Sequence, residues 1–220
     1  LGYPATDAGL ALMPGGLLII CSMPLVGFLL SRRYDPRLMM AFGLTMVSVS
    51  LFYMTRFDLS IDFWTLATAR MLQGCGLGFL FVPINTVAYS YLPPEKNNAA
   101  SGIINLSRNV GASVGISIVT TMLDRRGQFH RNRLSAHLDP ANVNVQAMLE
   151  STSARLQTHG ASAAGAMQQA YAMLQGALQR QSEMLAYIDN FWMLALATLV
   201  LVPCVLLVRK PKRGGRMHAH

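Results

Sequence analysis

Long stretches of this chain are almost free of charge, and that feature constrains its fold more than any other. Residues 10–30 carry no charge, 38–55 are uncharged between Arg37 and Arg56, and 190–208 are uncharged between Asp189 and Arg209. Residues 63–92 are interrupted only by Arg70, and residues 99–123 only by Arg108. A helix needs roughly 20 apolar residues to cross a hydrocarbon core of about 30 Å. Membrane strands would show segments of about 10 residues with alternating polarity, which these continuous runs exclude. Only 13% of the residues are charged, where soluble domains carry about 25%. A disordered tail, a coiled coil and a small disulfide scaffold are excluded with them. The expected fold class is an all-α polytopic membrane protein with five spans.

Pro14, Pro24, Pro83 and Pro203 fall inside the runs. A membrane bundle tolerates them, because neighbouring helices and Ser or Thr hydroxyls satisfy the freed carbonyls. Gly15, Gly16, Gly27, Gly43, Gly74, Gly76, Gly78, Gly111 and Gly115 predict close helix contacts, with Gly111 and Gly115 forming a small-xxx-small step. Cys21, Cys75 and Cys204 also lie within apolar runs and read as small packing residues.

The net charge of +8 would ordinarily suggest nucleic acid, but the basic residues cluster at the ends of the runs, so membrane orientation explains them better. Arg32, Arg33 and Arg37 in the first connection lie four spans from Arg209, Lys210, Lys212, Arg213 and Arg216, and therefore on the same side, joined by Lys96. Residues 1–123 thus hold four spans (10–30, 38–55, 63–92 and 99–123). Residues 124–189 form an external, periplasmic connection, 190–208 the fifth span, and 209–220 a basic cytoplasmic tail. The opening Leu1, with no initiator Met, predicts the C-terminal piece of something longer.

The external connection reads as a helical hairpin broken around Asp139-Pro140. Met167, Tyr171, Leu174, Leu178 and Leu185 form a stripe interrupted by Gln181, and Val145, Leu149 and Leu156 a weaker one. No proline intervenes between Ala161 and Val202, so the last helix should begin near Ala164 and run for about 45 residues, roughly 67 Å. The hairpin either satisfies itself or forms a docking platform for an external protein.

Several motifs are more specific. They are the opening Leu1-Gly-Tyr-Pro-Ala-Thr-Asp-Ala-Gly-Leu-Ala-Leu-Met-Pro-Gly-Gly16, the run Arg70-Met-Leu-Gln-Gly-Cys-Gly-Leu-Gly-Phe-Leu-Phe-Val-Pro-Ile-Asn85, Leu92-Pro-Pro-Glu95, Asn105-Leu-Ser-Arg-Asn-Val-Gly111 and Phe191-Trp192. With them, nearly all of residues 1–210 resembles the EmrB/QacA-type drug:H+ antiporters, the 14-helix branch of the major facilitator superfamily. The resemblance implies that the five spans are helices ten to fourteen, part of a C-terminal bundle. It also implies an inner-membrane exporter of amphipathic compounds, driven by proton influx through alternating access. Such proteins commonly work with a periplasmic adaptor (a membrane fusion protein) and an outer-membrane channel. The connection holding Gly27, Arg32, Arg33, Asp35 and Arg37 resembles the superfamily's cytoplasmic gating motif, although Ser31 stands where that motif usually has Asp.

Charges inside a span are expensive and tend to mark buried or functional sites. Arg70 either snorkels to the interface or braces the bundle through carbonyls and polar partners such as Gln73. Arg108 lies too deep to snorkel easily and, with Asn105 and Asn109, makes a polar patch on an apolar helix. It is expected to be buried among helices, as a structural or gating arginine. Asn85 follows Pro83, whose freed carbonyl can join a polar site. Asp7 and Asp189 stand at span entrances and read as interfacial. No intramembrane carboxylate is present for proton coupling, and in the resembled family the coupling acids lie mainly in the N-terminal half. The sequence offers no catalytic constellation, cofactor motif or metal-ligand spacing. The expected partners are the lipid bilayer, amphipathic small molecules and protons. Two alternatives stand beside a multidrug exporter: an exporter of a defined metabolite or siderophore, and a membrane scaffold that transports nothing.

Overall fold

The computed structural model describes residues 5–90, 96–136, 138, 142–160 and 162–207. The expected break at Asp139-Pro140, the Leu92-Pro-Pro-Glu95 motif, the first four residues and the basic tail lie outside the described residues, as does the side chain of Asp7. Among the described residues the chain is helical, with no strand. The helices are α1 (Ala5–Ser31), α2 (Pro36–Met54), α3 (Phe63–Tyr89), α4 (Asn97–Ser135), α5 (Val143–Thr158) and α6 (Ala163–Leu207). α6 is 45 residues long and starts one residue from the expected position.

Local chemistry sets the helix ends. Asp35 precedes Pro36, which takes the first position of α2, where its missing N–H leaves no bond unmade. The Asp62 carboxylate caps α3 by accepting from the Trp64 backbone N–H at 3.2 Å. Asn142 caps α5 in the same way through Asn144 at 3.0 Å. The Ser162 hydroxyl accepts from the Gly165 N–H at 3.2 Å at the start of α6. α5 stops at Gly160, whose φ of 94° suits glycine.

Among the described residues four helices are long and apolar enough to cross a membrane: α1 from Gly9, α2, α3 and α6. α4 is long enough, but Asn98, Ser101, Asn105, Ser107, Arg108 and Asn109 dilute its apolar run.

The chain divides into two compact units, residues 1–117 with 191–220, and residues 118–190. In the first unit α3 packs against both α1 and α2. Glycine makes both crossings. A Cβ added at Gly74 would collide with the Gly15 carbonyl oxygen, and one at Gly15 would lie 2.7 Å from the Arg70 carbonyl oxygen. Between α2 and α3, a Cβ at Gly43 would meet the Gly76 carbonyl at 2.7 Å, and one at Gly76 would meet that of Gly43 at 2.8 Å. Without a hydrophobic drive between helices in lipid, such close backbone approach supplies dispersion contacts that larger residues would prevent. Serines on α2 add hydrogen bonds on both sides. Ser50 Oγ donates to the Ala69 carbonyl of α3 at 2.8 Å, and Ser48 Oγ to the Ala195 carbonyl of α6 at 2.9 Å. Phe52 and Trp192 meet edge to face at 5.0 Å beside that second contact.

Some packing expectations fail. Gly16, Gly27, Gly111 and Gly115 have nothing within 4 Å of where a Cβ would stand. Cys21 and Cys204 are exposed rather than packed. Among the described residues their helix faces meet no neighbouring helix, so small size there serves no contact.

In the second unit α5 packs on α6 through Val145, Leu149 and Ala170, with Leu138, Met167 and Leu174 around them. Met167 and Leu174 of the expected stripe are in this contact, and Tyr171 is not. Tyr171 is 47% exposed, whereas Ala166 and Ala170 are buried. Small residues let the helices approach, and a residue one position on points about 100° away.

Candidate functional site

The polar side chains within the apolar helices gather at two places in the first unit. Arg70, two turns into α3, donates from Nη1 to Gln73 Oε1 at 2.8 Å, a spacing that puts both on one helical face. Its Nε is buried and has no hydrogen-bond partner among the described residues. The Arg70 carbonyl is also the atom that Gly15 approaches, so this arginine stands at the α1–α3 crossing.

The second place joins α3 to α4. Arg108 Nη2 donates to Asn85 Oδ1 at 2.5 Å. Asn85 lies two residues past Pro83, which is fully buried inside α3 and leaves the Phe79 carbonyl without its helical donor. Two residues picked out separately in sequence are thus brought into contact across 23 positions. Burial is not found. Arg108, Asn105 and Asn109 are all exposed, because this stretch of α4 packs little among the described residues: its apolar neighbours Ile103, Leu106 and Val110 are exposed as well. Asn105 and Asn109 are not drawn into the Arg108–Asn85 hydrogen bond.

The connection between α1 and α2 is built differently from an array of free charges. α1 ends with the Arg33 N–H donating to the Leu30 carbonyl at 3.1 Å and the Tyr34 N–H to that of Leu29 at 3.3 Å. This is the paired closure that normally needs glycine in the left-handed region. Arg33 holds that place, with φ at 69°. The Arg32 guanidinium stacks 4.5 Å over Phe28, and the Asp35 carbonyl accepts from Leu38 and Met39 at the start of α2. Arg37 Nη1 donates to the Leu206 carbonyl at 3.3 Å, a cation at the negative end of α6. Gly27 makes no close approach.

One arrangement in the second unit has no sequence signal. His130 of α4 donates to the Asp189 carboxylate of α6 at 2.8 Å, and Arg126 lies 3.7 Å from it. The partners are 59 positions apart, so no spacing rule finds them. Among the described residues no group of three His, Cys, Asp or Glu side chains is placed to hold a metal.

Residues 1–129 match the family model for the Major Facilitator Superfamily. The chain belongs to the Major Facilitator Superfamily. Within the superfamily it is 31% identical over 215 residues to the multidrug export protein EmrB of Escherichia coli K12, covering 97% of this chain and 40% of that protein. It is 27% identical to the fatty acid resistance protein FarB of Neisseria gonorrhoeae, over 98% of this chain and 41% of that one. The probable multidrug resistance protein EmrY of Escherichia coli K12 is 28% identical over 96% of this chain. The chain therefore spans about 40% of the length of these superfamily relatives. All three similarities extend well past residue 129, through the hairpin and most of α6.

Proposed function

We propose that this chain forms part of a proton-coupled exporter of amphipathic compounds that works by alternating access in the bacterial inner membrane. The observation that carries the reading is likeness to EmrB, a multidrug export protein, over 97% of the chain, hairpin included. Likeness to a fatty acid resistance protein favours amphipathic cargo over a single polar metabolite. In this reading α4 is the remaining span, and the C-terminus is cytoplasmic with Arg37 and the end of α6. Arg108 and Asn85 supply a paired polar contact on an otherwise apolar surface, where desolvated hydrogen bonding can select and orient cargo. The coupling acids belong outside these helices. The hairpin α5–α6 faces the periplasm and docks an adaptor protein.

The test is drug susceptibility of a pump-deficient host expressing the full-length gene. Resistance should rise toward several unrelated amphipathic drugs. Unchanged susceptibility, with the protein present in the membrane, contradicts the reading.

A further inference from the structure

The α4 face that meets α6 carries three cationic or titratable side chains in succession, Arg126, His130 and Arg133. Asp189 is met by two of them, His130 at 2.8 Å and Arg126 at 3.7 Å. Arg133 is exposed and has no carboxylate partner among the described residues. It lines, with His130, Leu134 and Leu185, an open pocket of about 270 Å³ whose wall is chiefly apolar. A guanidinium without a carboxylate among the described residues, set beside two leucines, matches one kind of ligand, an anionic head carrying an aliphatic tail.

The level of the pocket agrees. Leu185 lies five residues before the uncharged run that opens at Asn190, and His130 and Arg133 lie seven and ten residues after the run that closes at Leu123. At the helical rise these are about 8, 10 and 15 Å. The headgroup layer adds about 5–8 Å on each side of the hydrocarbon core, so the pocket runs from its outer edge outward, with Leu185 innermost and Arg133 outermost.

We propose that this pocket holds a single anion-headed amphiphile, its phosphate or carboxylate against Arg133 and His130 and its acyl chain along Leu134 and Leu185. The proposal rests on reading α4 and α6 as membrane spans. The Arg126 guanidinium and the His130 ring N–H both face the Asp189 carboxylate, which weakens the repulsion that the carboxylate would otherwise exert on the head. An occupied pocket ties the outer ends of α4 and α6 to the bilayer surface.

The test uses the full-length protein in nanodiscs of phosphatidylcholine with a minor fraction of phosphatidylglycerol, read by native mass spectrometry for retained lipid. Wild-type protein should retain phosphatidylglycerol in preference to phosphatidylcholine. Arg133→Gln should weaken retention about fivefold, the effect of one lost surface cation. Arg131→Gln, which removes an equal charge outside the pocket, should leave it unchanged. Added oleate separates the two sources: displacement of the lipid identifies a fatty carboxylate as an occupant, and no displacement identifies the lipid phosphate. Stable incorporation with no preference for the anionic lipid overturns the pocket while leaving the membrane spans intact. Equal loss in both arginine variants overturns it too, because diffuse charge would then suffice. Failure to enter the nanodisc contradicts the spanning reading on which the proposal stands.

Discussion

Arg33 holds a backbone conformation that glycine adopts freely and L side chains adopt at a cost of about 1–2 kcal/mol. The turn into α2 persists because two backbone hydrogen bonds close α1 around it. Arg33→Val should therefore lower thermal stability by about 1–2 kcal/mol, since a β-branched residue is least tolerated there. Arg33→Gly should hold or raise it. A melting series in detergent checks both, and an unaffected valine variant would show that the turn is free to rearrange. This turn was not legible in the sequence, because the usual signal is a glycine and this chain has Arg-Arg-Tyr-Asp. The Arg108–Asn85 contact was half legible. Each residue stands out as polar in an apolar run, but their pairing depends on where α4 lies against α3. For transport by the full-length protein, Arg108→Leu should impair efflux or folding, whereas Arg213→Leu in the basic tail should not. Equal, unimpaired efflux in both would remove Arg108 from the working site.

Helix by helix, close packing in the first unit depends on a few glycines, and the same residue type elsewhere does nothing comparable. Gly74→Ala puts a methyl group into the Gly15 carbonyl and should destabilise the α1–α3 pair by about 1–3 kcal/mol, as overpacking does. Gly111→Ala adds a methyl group into open space and should be neutral or gain up to about 1 kcal/mol of helix propensity. Parallel thermal unfolding of the two variants of this chain distinguishes them, and equal effects would contradict the glycine crossing. Composition shows that glycines are numerous but not which face meets a neighbour, which is why Gly111 and Gly115 mislead. The hairpin behaves similarly. The length of α6 was legible, because nothing breaks the helix between Ala161 and Val202. The contact face was largely legible, since Val145, Leu149, Met167 and Leu174 of the two stripes meet in it, but Ala170 is buried there and Tyr171 is not. Leu149 is 5% exposed, so Leu149→Ala should loosen α5 by about 2–5 kcal/mol. Tyr171→Ala should change little. Amide exchange along α5 reads the difference.

At the scale of the whole molecule, the uncharged runs made the all-helical membrane fold legible, and named motifs made the superfamily legible. Neither depends on contact geometry. Substrate is not legible from either, since an apolar surface with one polar pair admits many amphipathic compounds. The topology in which α4 spans predicts that Lys212→Cys and Ser162→Cys, in the full-length protein, label from opposite sides of the membrane. Labelling from the same side would remove one span and exchange the side assigned to the hairpin. A role for the hairpin in export, through its own packing or through an adaptor docked on it, predicts that Leu174→Asp with Leu178→Asp lowers resistance of intact cells while membrane abundance holds. Resistance at the wild-type level would make the hairpin dispensable.

Everted inner-membrane vesicles containing the full-length protein test proton-driven export without any adaptor or outer membrane. With the lumen acidified, a fluorescent amphipathic dye should accumulate inside and be released when the proton gradient is collapsed. Vesicles that contain the protein and hold the gradient, yet take up no more dye than vesicles lacking it across a panel of amphipathic dyes, would contradict the account.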